Sequence, residues 1–137
     1  MIRLPVPGGS TSDSGMGIFR VPIQVSNRDG NRFEPLEALV DTGAMFTWIP
    51  RDVLDALGAV GEEEWPFVLA DGREVRYEVA WIRIRIGDRV RPTMAVLGDP
   101  GTEPLLGAFT LEGFLLAADP VNQRLISVPG LLMKAVA

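Results

Sequence analysis

The residues best placed to do chemistry are Asp41-Thr42-Gly43-Ala44, a carboxylate on a tight turn between two apolar runs. Ala38-Leu39-Val40 precedes it and Phe46-Thr47-Trp48-Ile49 follows it. Burying an unpaired carboxylate among apolar strands is costly, so Asp41 either has a partner or is held for a purpose. Gly43 opens backbone conformations that a Cβ forbids and lets another chain come close. A carboxylate so placed can act as general acid or base on water. The tripeptide alone decides little, because Asp-Thr-Gly and Asp-Gly also occur as plain turns.

Composition removes most competing chemistries. The 137 residues include no histidine and no cysteine. Ser-His-Asp and Cys-His catalysis, disulfides, and metal motifs built on histidine or cysteine are therefore excluded, and acid–base work falls to Asp or Glu. The net charge is −5, the thirteen basic residues are scattered, and Lys134 is the one lysine. That pattern does not suit nucleic acid, which demands a basic stripe against phosphates, nor an anionic membrane surface. No apolar run nears the roughly 20 residues that span a bilayer. Met1 to Pro7 is too short and too broken by proline for a secretion signal. The expectation is a cytoplasmic, soluble protein whose hydrophobic share, 47%, suffices for one core.

The elements that must position Asp41 are mostly extended. Residues 1–17 read as a flexible N-terminal arm, with small polar residues from Gly8 to Gly17, and 18–137 as a single domain. Ile18–Val25 alternates as a strand, a turn centres on Asp29-Gly30, and Phe33–Val40 returns. Phe46–Ile49 resumes after the Asp41 turn. Pro50 then opens a short helix with Val53, Leu54 and Leu57 on one face and Gly58 as its stop. Gly61-Glu62-Glu63-Glu64 reads as a charged surface connector. Phe67–Leu69, Ala70-Asp71-Gly72-Arg73 and Glu74–Val79 form a hairpin signal, and Trp81–Ile86 alternates strictly as a further strand. Arg91–Leu97 is another strand, Phe109–Phe114 one or two helical turns, and Leu115–Ala118 with Arg124–Val128 a strand pair around Asp119-Pro120. An apolar tail runs from Leu131 to Ala137. Many short strands and little helix give an all-β class, barrel-like or sandwich.

The remaining carboxylates read as structure. Asp71 and Asp119 are turn formers, and Glu62, Glu63 and Glu64 are a solvated face. Arg83 and Arg85 mark the wet side of a strand, and Trp65 and Trp81 read as packing anchors.

The flanks of the turn carry a resemblance. Leu39-Val40-Asp41-Thr42-Gly43-Ala44 is similar to the apolar-apolar-Asp-Thr/Ser-Gly-Ala/Ser motif of the retropepsin-like aspartic proteases. Leu105-Leu106-Gly107, followed by Ala108-Phe109-Thr110-Leu111, resembles that family's second signature, apolar-apolar-Gly before a short helix. Thr47, six positions past Asp41, fits the same architecture. The resemblance spans about Ile18 to Val128 and implies a closed β-barrel or sandwich with one or two short helices. It implies Asp41 as the catalytic carboxylate, Thr42 as a hydrogen-bonding lock across a dimer, and Gly43 and Ala44 as the shape of the turn. Leu69, Ala70, Asp71, Gly72 and Arg73 would belong to a flap over a peptide substrate. One Asp-Thr-Gly per chain then implies a homodimer that pairs two Asp41 carboxylates for peptide hydrolysis, a chemistry that needs no metal and no organic cofactor. Met45 and Phe46 depart from the acidic residue that many viral members have there, so viral cleavage preference does not carry over. That departure keeps open a second reading, a retropepsin-like dimerisation or peptide-binding module with little turnover.

Overall fold

The computed structural model describes Arg3–Leu4, by backbone alone, and residues 19–130. The apolar tail, and the expected N-terminal arm apart from Arg3–Leu4, lie outside the described residues. The strands are β1 (Arg3–Leu4), β2 (Phe19–Ser26), β3 (Phe33–Val40), β4 (Thr47–Pro50), β5 (Glu63–Leu69), β6 (Glu74–Ile86), β7 (Arg89–Gly98), β8 (Leu105–Leu106), β9 (Leu116–Asp119) and β10 (Arg124–Ser127). Two helices, α1 (Arg51–Ala56) and α2 (Ala108–Gly113), fall where the proline and the Leu-Leu-Gly motif place them. Among the described residues no helix is long and apolar enough to cross a membrane.

The main sheet closes into a ring. Its order runs β6-β2-β3-β8-β4-β7, and β7 pairs back along β6 from Val79↔Val96 to Ile86↔Arg89. β5 and then β1 extend the sheet beyond the ring from β6, while β9 and β10 form a separate hairpin. β8 is the wedge that matters for the site. It lies parallel to β3 (Leu39↔Leu105, Val40↔Leu106) and antiparallel to β4 (Trp48↔Leu105). It therefore fills the gap between the two strands that the Asp41 turn joins.

The ring has apolar packing on both faces, which explains the unbroken apolar runs in the sequence. The larger cluster holds Val25, Val40, Ile49, Leu54, Ile82, Ile84, Leu97, Leu106 and Phe114. The smaller one holds Phe67, Leu69, Val79 and Val96, with Phe46, Trp48, Trp65 and Tyr77 packed against them. Successive side chains of a strand face opposite ways, so β4 sends Trp48 to the smaller cluster and Ile49 to the larger.

Four sequence expectations are corrected by the fold. Glu74–Val79 and Trp81–Ile86 are one strand of 13 residues, not two. Val75, Tyr77 and Val79 serve the smaller cluster and Ala80, Ile82 and Ile84 the larger. The two buried neighbours Val79 and Ala80 mark the crossover, which reads locally as a strand break. Glu63 and Glu64 open β5 rather than a connector, because they pair with Val79 and Glu78 while their side chains stay in water. The strand after the Asp41 turn begins at Thr47 and includes Pro50, with Phe46 left in the turn. Trp81 is 36% exposed and anchors neither cluster, because it projects on the outer face where β6 needs no cover; Trp65 does pack.

Leu106 is fully buried in the β8 wedge, whereas Val121 is 86% exposed in the β9–β10 turn. Leu106→Ala should therefore cost about 2–5 kcal/mol of stability in urea unfolding. Val121→Ala should stay within about 0.5 kcal/mol of the parent.

Candidate active site

The Asp41 turn is fixed by backbone. Asp41 N–H donates to the Leu106 carbonyl at 3.1 Å, and Ala44 N–H closes the turn onto the Asp41 carbonyl at 3.1 Å. The Asp41 side chain accepts at Oδ1 from Gly43 N–H at 2.9 Å. Beyond the turn, the Ala44 and Met45 carbonyls accept from Ala108 and Phe109 N–H at 2.8 and 2.9 Å. These last bonds satisfy donors in the first turn of α2, which has no side-chain cap.

Gly107 is the point of closest approach. A Cβ there would sit 2.5 Å from the carbonyl carbon and oxygen of Phe46 and 2.8 Å from the Met45 oxygen, all backbone. The Leu105-Leu106-Gly107 motif thus demands glycine because two backbones touch, not because of an unusual φ. Below the turn lies a buried hydroxyl relay. Thr47 Oγ1 accepts from Gly107 N–H at 3.1 Å and meets Thr110 Oγ1 at 2.6 Å, and Thr110 meets Thr93 Oγ1 at 2.8 Å. All three threonines are buried.

Asp41 itself is partly exposed, and Thr42 and Gly43 are exposed beside it. Among the described residues Asp41 joins no ion pair, and no acidic cluster suited to a metal occurs. Its second oxygen, Oδ2, has no hydrogen-bond partner among them. The arrangement is a carboxylate on a turn bonded through its main chain, with one oxygen engaged by Gly43 N–H and one available. A shallow concavity lined by Pro22, Gln24, Pro35, Glu37 and Arg85 lies part-way along the β2–β3 ladder, at other residues, and plays no part in this turn.

A family model for aspartyl proteases matches residues 21–109, which include the Asp41 turn, the β5–β6 hairpin and Leu105-Leu106-Gly107. The chain belongs to the aspartyl protease family. Its fold is retropepsin-like. A retropepsin-like aspartic protease from Rickettsia conorii superposes with a TM-score of 0.51 at 22% identity, covering 74% of this chain and 86% of that one. A protein of unknown function from Legionella pneumophila gives 0.49 at 20% identity over 80% of this chain and 95% of that one. Simian foamy virus protease gives 0.45 at 17% identity over 64% and 87%. No match is found among curated proteins.

The sequence-predicted hairpin residues form a real turn. Leu69 N–H donates to the Arg73 carbonyl at 2.8 Å and Gly72, at φ 91°, occupies the left-handed position. Asp71 accepts from Arg73 N–H at 3.0 Å and from Arg73 Nε at 2.8 Å. The Arg73 backbone bond, then its side chain, hold the Asp71 carboxyl below its ordinary range. The turn's stabilisation is thus present above the ordinary aspartate value and lost only as pH falls through the lowered one. Asp119 is held low in the same sense, first by the Asn122 side chain and then by its backbone.

The hairpin and the Asp41 turn meet through aromatic rings. Phe46 packs against Trp65, Phe67 and Phe109 with centroids 5.6, 6.5 and 6.0 Å apart, and Trp48 against Tyr77 at 5.0 Å. Phe46 and Trp48 pack against the smaller cluster, while Met45 is 50% exposed. Sequence reasoning missed Thr93 and Thr110 as supports of the turn, since no local signal links residues that far apart in the chain. The glycine of Leu105-Leu106-Gly107 was the available clue to close packing.

Two variants test this support. Gly107→Ala should destabilise the fold by about 1–3 kcal/mol, because backbone rather than a flexible side chain must yield. Thr110→Val should cost about 1–3 kcal/mol by stranding the Thr47 and Thr93 hydroxyls, and Thr110→Ser should recover most of it in the same thermal melts.

Proposed function

We propose that the chain is an aspartic endopeptidase that hydrolyses extended polypeptides as a homodimer, with one Asp41 from each subunit. The observation that carries this reading is Asp41 itself, anchored by Leu106 and Gly43 backbone on an exposed turn, with its other oxygen unpartnered among the described residues. A single turn supplies half of the carboxylate pair, and exposed Thr42 stands beside Asp41 where a second copy would meet it. A two-fold axis through this turn is the simplest completion.

Two carboxylates about 3 Å apart cannot both stay charged, so they share one proton. The ionised member takes a proton from a water held between them as that water attacks the scissile carbonyl carbon. The protonated member gives its proton to the carbonyl oxygen, and a tetrahedral diol forms. Collapse of the diol returns a proton to the leaving nitrogen, breaks the C–N bond and regenerates the pair with one proton. The β5–β6 hairpin would cover the peptide, its tip held by Asp71 and Arg73. The second reading, a peptide-binding module with little turnover, is motivated by apolar Met45 and Phe46 where viral relatives have polar contacts to substrate.

Asp41→Asn should lower kcat/KM on a peptide substrate by at least about a hundredfold, with the thermal melt unchanged. Parent activity should fall as the pH is raised and the shared proton is lost. Undiminished cleavage by Asp41→Asn contradicts the proposal, and peptide capture without cleavage across acidic pH favours the module.

A further inference from the structure

The outer face of the ring carries a concavity well away from the Asp41 turn. Residues paired across strands share a face, so the pairs Gln24↔Arg85, Gln24↔Pro35 and Pro22↔Glu37 set these five side chains together. Their neighbours Ile23 and Val25 face the core instead. The β2–β6 pairing reaches only Gln24↔Arg85, because β6 ends at Ile86 and the chain turns at Gly87. Beyond that point the short rings of Pro22 and Pro35 leave a hollow of about 410 Å³, bounded by Arg85, Gly87 and Glu37. Small-ligand clefts run from roughly 300 to 1,000 Å³, so the space suits a small molecule or a short peptide.

Both charged walls lack a counter-ion among the described residues. Across residues 19–130, every arginine except Arg85 and Arg91 meets a carboxylate or a backbone carbonyl. Arg85 lies over the Phe33 ring at 4.1 Å and donates from Nη1 to Gln24 Oε1 at 2.6 Å. The stacking and this bond orient the planar guanidinium and leave its other N–H groups for a ligand, beside the two donors of Gln24 Nε2. At the other end, the exposed Glu37 side chain joins no ion pair and no hydrogen bond among the described residues. Arg20, whose guanidinium feels the Glu37 charge, is bonded to Glu103 at 3.1 Å instead.

The spacing of the two charges selects the ligand. Arg85 and Glu37 lie two strands and two residues apart, which puts their Cα atoms roughly 12 Å from each other. An extended tripeptide spans about 10 Å, with a carboxylate at one end and an ammonium at the other. We infer that this concavity binds short zwitterionic peptides, with Arg85 and Gln24 taking the terminal carboxylate and Glu37 the terminal ammonium. Pro22 and Pro35 supply the apolar floor between them. Carboxylate recognition by an oriented guanidinium carries most of the affinity, and the exposed Glu37 contact adds less. The site is separate from the Asp41 turn and does not depend on hydrolysis there.

The test is an NMR titration of the full-length chain carrying Asp41→Asn, so that cleavage plays no part. The probe is the tripeptide Ala-Leu-Ala with free termini. The Gly87 amide and the Gln24 side-chain amide should shift and saturate, while the Gly43 amide beside Asp41 stays in place. The C-amidated tripeptide should bind about tenfold or more weakly, and the N-acetylated one about threefold more weakly. Arg85→Gln should remove the preference for a free carboxylate. Glu37→Gln, at an exposed side chain without a partner, should remove only the preference for a free ammonium. The absence of a saturating shift at Gly87 and Gln24, equal binding of the amidated peptide, or a response centred on Gly43 overturns the inference. Failure of the protease proposal is seen separately, as absence of cleavage by the parent chain.

Discussion

The backbone contact between Gly107 and Phe46 is the constraint on which the rest of the site depends. With no side chain at 107, the chain just past β8 lies against the segment that leads from the Asp41 turn into β4, and a Cβ would meet Phe46 main chain at 2.5 Å. That closeness lets Leu106 take the Asp41 N–H and lets Ala44 and Met45 cap the start of α2. Asp41 N–H and the Ala44 and Met45 carbonyls thereby gain main-chain partners. The backbone of Asp41 is thus placed by the fold, and its carboxylate takes one main-chain hydrogen bond, from Gly43 N–H. The Thr47–Thr110–Thr93 relay carries the same fixation to β7.

A second consequence concerns the hairpin. Its base is pinned, because Trp65, Phe67 and Tyr77 pack with Phe46 and Trp48 on one face of the ring. Its tip is held by local bonds among Leu69, Asp71, Gly72 and Arg73. Few buried apolar contacts at a tip and many at a base are the conditions for local opening without global unfolding. Asp71 closes that tip by accepting from Arg73 N–H and Nε, bonds that hold its carboxyl below the ordinary range.

Much of this was legible in the sequence because the signals are local. Asp41-Thr42-Gly43-Ala44, the Ala70–Arg73 turn, Pro50 before α1 and Leu105-Leu106-Gly107 before α2 each carry their own stereochemical reason. The absence of histidine and cysteine narrows the chemistry to carboxylates by composition alone. What escaped was non-local or changed phase. β6 looked like two strands because its buried side switches between Val79 and Ala80 as it passes from one cluster to the other. Thr93 and Thr110 are ordinary in their own segments and acquire a role only when β7 and α2 come together. Trp81 read as an anchor because hydrophobic size suggests burial, yet side-chain alternation on β6 points it outward.

The central claim is that Asp41 is half of a catalytic pair. The most direct measurement mixes parent chain at fixed concentration with rising amounts of the Asp41→Asn chain, after exchange of subunits, and follows peptide cleavage. Mixed dimers would hold one carboxylate and one amide, so activity should fall steeply as the variant comes into excess. Activity that stays constant through a large excess of the variant would mean that each chain works alone and would contradict the account.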